Sequence, residues 1–265
     1  MNPMLNIAKK AAREGGKILL RYFDRRDQLT ITSKSKNEFV SEVDRAAEQT
    51  IVEVLRRAYP DHGILGEEGG RRAGNDFEWV IDPLDGTTNY LHGFPQFSVS
   101  IGLRHKGGLE CGVVYDPLRE EMFLAGRGDG AFLNDRRIRV TQRKGLDGAL
   151  LGTGFPFRDY SHMDAYLGMF RQLIQDTAGI RRPGSAALDL CYVAAGRLDG
   201  FWELGLQPWD MAAGALIVRE AGGLVSDLGG GDRFLDTGNV VAGHLRVHAA
   251  LLETIRPFLN ERLSA

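Results

Sequence analysis

Several things are scarce in this chain of 265 residues, and each scarcity removes a class of function. There are only two cysteines, Cys111 and Cys191, both in apolar contexts. That pattern predicts two buried thiols rather than a disulfide framework or a thiolate metal site, and it suits a reducing cytoplasm. No apolar run approaches the ~20 residues that cross a bilayer. The segment from Met1 to Ile7 lacks a basic region followed by an apolar core, so no signal peptide is expected. There is no excess of positive charge: the formal net charge is −2, which argues against whole-surface binding of nucleic acid. The six histidines include one pair at H-x-x-x-H spacing, His244 and His248, but no H-E-x-x-H motif for zinc. No G-x-x-x-x-G-K-[ST] cradles a nucleotide, and no G-x-S-x-G presents a nucleophilic serine. Gly126-Arg127-Gly128-Asp129-Gly130 lacks the dinucleotide-binding spacing and reads as a hairpin turn.

What remains is an ordinary soluble enzyme composition, 43% hydrophobic and 26% charged. Helical spacing of Leu5, Ile7, Ala8, Ala11, Ala12, Gly15, Ile18 and Leu19 predicts a first helix. Ser33-Lys34-Ser35-Lys36-Asn37 reads as a mobile polar loop, with Lys34 and Lys36 as a basic feature on it. Ser41 is the expected cap of a second helix that Pro60 ends, with Asp44 as a capping-box-like partner. Short β-rich runs at 97–103, 110–115 and 121–125 predict an antiparallel sheet, with a hairpin turn at Lys106-Gly107-Gly108. From residue 150 onward strands and helices alternate, which is α/β layering. A soft boundary near residues 143–148 divides the chain into an N-terminal α+β lobe, 1–145, and a C-terminal α/β lobe, 146–265, expected to share one packed body.

The acidic residues carry the chemistry. Trp79-Val80-Ile81-Asp82-Pro83-Leu84-Asp85-Gly86-Thr87-Thr88-Asn89 reads as a buried strand entering a rigid turn. Pro83 fixes its own φ and holds Asp82 extended, so Asp82 and Asp85 can converge on one point. The carbonyl of Leu84 between them is another hard oxygen. Glu67-Glu68 follows the apolar run Ile64-Leu65-Gly66, and Pro208-Trp209-Asp210 opens an alanine-rich helix. Carboxylates gathered at strand ends and helix starts repel one another unless a cation lies among them. Hard oxygen ligands suit Mg²⁺, which is held by one or two carboxylates plus substrate phosphate. The amides of Gly86-Thr87-Thr88 open a helix or turn beside those acids and suit phosphate oxygens.

These motifs resemble the inositol monophosphatase family of Mg²⁺-dependent phosphatases. The resemblance is carried by Gly66-Glu67-Glu68, Trp79 through Asn89, Gly184-Ser185-Ala186-Ala187, Trp209-Asp210 with Ala212-Ala213-Gly214, and Glu220-Ala221-Gly222-Gly223. The run from Gly152 to Phe157 and Met4-Leu5-Asn6-Ile7-Ala8 resemble its bacterial SuhB-type branch. The resemblance implies an α/β (α+β) chain in the layered α-β-α-β-α sugar-phosphatase fold shared with fructose-1,6-bisphosphatase, usually as a homodimer, and sensitivity to Li⁺. It implies two to three Mg²⁺ ions. Glu67, Asp82 and the Leu84 carbonyl would hold the first, and Asp82, Asp85 and Asp210 the second. A third would lean on Glu67. Asp44 and Thr87 would orient the attacking water, making Asp44, Thr87 and Glu67 the catalytic set. Gly86 and Thr87 would meet the phosphate. Asp85, Gly184, Ser185, Ala186, Glu203 and Asp210 would line the rest of the substrate site, with myo-inositol 1-phosphate or a similar small polyol or sugar phosphate as substrate.

The bacterial branch is also associated with transcription antitermination and ribosomal RNA synthesis. The second expectation is therefore a regulatory binding protein, with antitermination factors or RNA polymerase as partners. Arg71-Arg72 and Arg136-Arg137 with Arg139 are the local basic patches such a role could use; as ordinary residues they are solvated surface. Arg181 and Arg182 could neutralise substrate phosphate or pair with acids at a subunit contact, the contact being favoured, and Asp189 could be a structural partner for such an arginine. Trp202 and Trp209 are assigned to packing.

Overall fold

In a computed structural model the described residues are 3–25, 31–35, 38–156, 159–260 and 263. The first helix, α1 (Pro3–Phe23), buries Leu5, Ala8, Ala11, Ala12, Gly15, Gly16 and Leu19 along one stripe. The second, α2 (Glu42–Ala58), has Glu42 and Asp44 in its first turn and Arg56 and Arg57 in its last, matching charge to the helix dipole at both ends. Between them, β1 (Ile31–Ser35) and β2 (Glu38–Ser41) pair antiparallel. Residues 33–35, read as part of a loop at 33–37, are strand instead, because Ile31-Thr32 and the facing Phe39-Val40 are β-formers and the pairing satisfies their backbone; residues 36 and 37 lie outside the described residues. Lys36, and the side chains of Lys34 and Ser41, lie outside the described residues.

Eight strands form the larger sheet: β3 (Gly63–Gly66), β4 (Gly70–Arg72), β5 (Phe77–Asp85), β6 (Ser98–His105), β7 (Gly108–Asp116), β8 (Glu121–Gly126), β9 (Gly130–Leu133) and β10 (Arg136–Arg137). Their order is β10-β9-β8-β7-β6-β5-β3-β4. Neighbours are antiparallel except β3 and β5, which run parallel. The turn at Lys106-Gly107 has φ of 50° and 84°, the left-handed pair a tight hairpin demands. The helix α3 (Thr87–Leu91) leaves the end of β5 directly.

Five more strands form the second sheet, ordered β12-β11-β13-β15-β14. They are β11 (Leu150–Thr153), β12 (Gly179–Arg181), β13 (Gly200–Glu203), β14 (Leu224–Ser226) and β15 (Val240–Gly243). The helices of this half are α4 (Met163–Asp176), α5 (Ala186–Ala194), α6 (Pro208–Glu220), the short α7 (Phe234–Thr237) and α8 (Leu245–Ile255). The closing helix stops at Ile255, and a tight turn containing Pro257 follows, because proline removes a helix donor.

Three cores stack these elements into α-β-α-β-α layers. Leu5, Ile51, Ile81, Val99 and Ile101 pack α1 and α2 on one face of the larger sheet. Val80, Val114, Leu190, Ala212, Ile217, Phe201 and Val240 place α5 and α6 between the two sheets. Leu151, Tyr166, Trp202, Val247 and Leu251 pack α4 and α8 on the outer face of the smaller sheet. Helices α5 and α6 are buried nearly all round, as helices covered on both sides must be. Small residues let the sheets approach them: a Cβ on Gly112 of β7 would lie 2.7 Å from the Ala213 carbonyl oxygen of α6. Trp202 is fully buried and stacks on Tyr166, and Trp209 packs against the central core. Cys111 and Cys191 are buried and free, and burial pushes the Cys111 thiol up to about 12. Among the described residues no helix is long and apolar enough to cross a membrane.

Candidate active site

The site forms where β5 ends. In a regular strand, residues three apart point to opposite faces. Asp82 pairs with Ser100 and Asp85 with Ser98, so three residue steps on β5 face two on β6. This bulge falls at Pro83-Leu84, where proline offers no ladder donor. It turns Asp85 to the same side as Asp82. The Asp82 carboxylate also accepts the Leu84 amide at 2.9 Å, fixing the turn. Gly86 follows with φ 97° at the start of α3; a Cβ there would lie 2.8 Å from the Gln96 carbonyl oxygen, so only glycine serves.

Asp210 arrives from the first turn of α6, where Oδ2 accepts the Gln207 amide at 2.8 Å in a capping box. Asp82, Asp85 and Asp210 each offer an oxygen within 4.8 Å of the others, a trio that could hold a metal ion. All three are buried. Burial, then the charges of Glu67, Asp85 and Asp210, hold the Asp82 carboxyl well above the usual carboxylate range. Burial and Asp210 push Asp85 up to about 7, against the hydrogen bonds from Ser185, Ala187 and Ala186 that favour its ionised form. These acids are therefore frustrated as they stand. A divalent cation among the oxygens removes both causes, and an all-oxygen donor set suits Mg²⁺ chemically.

A cavity of about 300 Å³ opens over the trio. It is lined by Glu67, Asp82, Leu84 and Asp85, by Gly86, Thr87, Thr88 and Asn89, and by Gly184, Ala186, Glu203 and Asp210. The structure thus gathers nearly every residue the sequence singled out. Thr87 Oγ1 lies 3.2 Å from Asp44 Oδ1 and 3.0 Å from the Leu84 carbonyl oxygen, so its one proton has two acceptors. Asp44 itself is buried beneath it. Ser185 is placed differently from the substrate contact expected of it. It is fully buried, and its hydroxyl donates to Asp85 Oδ2 at 2.6 Å beside the Ala187 amide at 2.8 Å. The start of α5 grips one oxygen of Asp85, and Ser185 reaches the cavity through that oxygen.

Arg182 stands at the cavity, where the phosphate-neutralising alternative would need it. It lines the cavity with its Cζ 5.2 Å over the Phe155 ring. Asp189 is no ion-pair partner for it: Asp189 is 1% exposed and its Oδ1 has no hydrogen-bond partner among the described residues. Burial, Glu203 and Asp85 raise its pKa against a smaller opposing effect of Arg182. Arg71 pairs with Glu78, and Arg71-Arg72 and Arg136-Arg137 occupy β4 and β10, the two opposite edges of the larger sheet. They are separate patches.

Three features escape sequence reasoning. Phe155, Asp159 and His162 complete the cavity wall from the segment after β11. The Asn89 amide nitrogen reaches the carbonyl oxygens of Gln96 at 2.8 Å and Pro183 at 2.9 Å, tying α3 to the approach of α5. Glu48 of α2 is buried against the loop that carries Glu67. The one signal for Glu48 was the glycines around Glu67-Glu68.

Comparison with known proteins agrees with this geometry. The chain matches the inositol monophosphatase family over residues 1–260. It is similar to Nus factor SuhB of Pseudomonas aeruginosa, 59% identical with 99% of each chain covered, and to Nus factor SuhB of Escherichia coli, 50% identical with the same coverage. Among solved structures, extragenic suppressor protein suhB from Bartonella henselae superposes with a TM-score of 0.93 at 44% identity, covering 96% of this chain and 99% of that one. Inositol monophosphatase from Anabaena gives 0.84 at 39% identity, covering 96% and 95%.

Proposed function

The chain belongs to the inositol monophosphatase family, and from that premise we propose that it is a Mg²⁺-dependent phosphomonoesterase acting on myo-inositol 1-phosphate or a similar small polyol phosphate. The observation that carries this reading is the convergence of Asp82, Asp85 and Asp210 under a cavity that Glu67 and the start of α3 also line. Glu67, Asp82, the Leu84 carbonyl, Asp85 and Asp210 would hold two to three Mg²⁺ ions. Bound there, the cations supply Lewis-acid stabilisation of phosphoryl charge and a nucleophilic water at neutral pH.

The protein groups do the positioning. When Thr87 donates to Asp44, the lone pairs of its oxygen face the cavity and accept a hydrogen from the attacking water. Asp44, buried beneath Thr87, presents Oδ1 as the acceptor that fixes that direction of donation. The amides of Gly86 and Thr87, at the positive end of α3, meet the phosphoryl oxygens, where they stabilise charge as it develops. Glu203 at the end of β13 accepts hydrogen bonds from polyol hydroxyls and sets which alcohol is held. The proposal extends to a cytoplasmic homodimer inhibited by Li⁺. The test is phosphate release from a panel of polyol, sugar and nucleotide monophosphates with and without Mg²⁺. Turnover of inositol 1-phosphate far below that of another member would reject the substrate, and metal-independent turnover would reject the mechanism.

A second reading is favoured by the names of the relatives, several of which are Nus factor SuhB. We propose that this chain also binds a component of the transcription antitermination machinery, through surface residues separate from the metal ligands. Pull-down of antitermination factors and RNA polymerase by wild type and by the Asp82→Asn variant tests it. Equal capture by both supports a separable binding role, and capture by neither rejects it.

A further inference from the structure

Helix α2 carries two buried carboxylates one turn apart, Asp44 and Glu48, which the helical repeat places on one face. Asp44 takes the Thr87 hydroxyl. Glu48 uses both of its oxygens on a different segment: Oε2 accepts the Glu68 amide at 2.9 Å and Oε1 the Gly69 amide at 2.6 Å. The first of these amides belongs to the peptide unit immediately after Glu67. On its other side, the Glu67 amide donates to the Ile81 carbonyl, next to Asp82, at 3.1 Å. The Glu67 backbone is thus clamped from β5 on one side and from α2 on the other.

The glycines around it make room for this clamp. A Cβ on Gly66 would lie 2.5 Å from Glu48 Oε2, and a Cβ on Gly69 would lie 2.7 Å from Oε1. Glu48 is only 6% exposed, so its two oxygens depend on those amides for their hydrogen bonds.

We propose that Glu48 is a positioning residue that sets Mg²⁺ affinity by fixing the backbone from which Glu67 reaches the cavity. Through Asp44 and Glu48, α2 then determines both where Thr87 orients water and where Glu67 meets the cation. The inference rests on the metal reading above. Partners one shell beyond metal ligands are typically worth about ten- to a hundred-fold in metal affinity. Glu48→Gln keeps the volume but has one acceptor oxygen, leaving an amide hydrogen facing an NH₂ group.

The experiment is calorimetric titration of the full-length, metal-free protein with MgCl₂, without substrate. We expect Glu48→Gln to raise the Mg²⁺ Kd about ten- to a hundred-fold. The effect should vanish in a Glu67→Gln background, because Glu48 acts through Glu67. Gly69→Ala, on an exposed loop, presses a methyl against Oε1 while keeping the Glu48 charge, and should weaken Mg²⁺ similarly. Wild-type affinity in both Glu48→Gln and Gly69→Ala overturns the inference. So does a Glu48→Gln effect of full size in the Glu67→Gln background. If the wild type takes up no Mg²⁺ the metal reading itself falls; if it binds and the variants bind equally, only the role of Glu48 falls.

Discussion

Gly154 and Glu203 approach so closely that a Cβ on the first would overlap the carboxylate of the second. The glycine after β11 is therefore a spacer that lets Glu203 stand in the cavity wall. Because the clash is with the end of a flexible side chain, Gly154→Ala moves Glu203 rather than the fold. We expect KM for inositol 1-phosphate to rise roughly ten-fold with kcat little changed, as for loss of a contact made equally in ground and transition states. Turnover of an aryl phosphate, which has no polyol hydroxyls, should be nearly unaffected. Unchanged KM in steady-state assays of both substrates would remove Glu203 from substrate recognition.

Asp85→Asn should separate stability from catalysis. Asparagine keeps an oxygen for the Ser185 hydroxyl and the Ala187 amide. It also removes the charge that burial and Asp210 oppose. We expect kcat to fall by at least about a hundred-fold, on the scale of losing an electrostatic stabiliser of the transition state. Tm at pH 8 without metal should hold or rise, since strained active-site charge trades stability for activity. Near-normal turnover at saturating Mg²⁺ would show that Asp85 is dispensable.

The acid cluster gives the metal-free protein a defined pH dependence. Asp85 is raised to about 7 in the fold, whereas an unfolded aspartate titrates near its ordinary value of 3.8. Between these values the folded state binds the extra proton, so stability falls as pH rises. The contribution is fully present below about pH 4 and is lost as pH passes through about 7. Asp82 shifts in the same direction for the same reasons. In EDTA, Tm should decline between pH 5 and pH 8. Added Mg²⁺ should raise Tm more at pH 8 than at pH 5, because protons compete for the same oxygens. Thermal melts in a pH series, with and without Mg²⁺, check this; a Mg²⁺ shift larger at pH 5 would contradict it.

Gly112→Val probes the central layer rather than the site. The added atoms meet the backbone of Ala213, which cannot move without shifting α6. We expect a loss of about 1–3 kcal/mol or more in denaturant unfolding, the usual cost of overpacking. Since α6 also carries Asp210, Mg²⁺ affinity should fall with it. A midpoint equal to wild type would mean that the sheet and helix are not packed as closely as this.

Much of the site is legible in the sequence because its logic is local. Pro83 and Gly86 bracket Leu84-Asp85 within a few bonds, and local φ restrictions already force a turn that gathers carboxylates. The alternation of strands and helices in the second half is equally readable from period and flanking glycines. The failures have a common cause. The edge strands β4 and β10 are short and polar, so pairing with a neighbour, not composition, makes them strands, and in β1 the polar Ser33-Lys34-Ser35 masks the β-formers beside it. Nothing in the sequence around Arg182 chooses between a substrate-phosphate role and a subunit contact; its place over Phe155 at the cavity comes from the fold.

The chain by itself determined which chemistry was available: hard oxygen donors, a phosphate-suited turn, and no thiol, imidazole or nucleophilic-serine alternative. Covalent neighbours and helical or strand period suffice for that. Only the folded molecule decided that Ser185 holds Asp85 from 100 residues away, that Thr87 meets Asp44, and that Glu48 clamps the loop of Glu67. Those relationships depend on how two sheets and three helical layers stack, and packing acts through space between residues that the sequence keeps far apart.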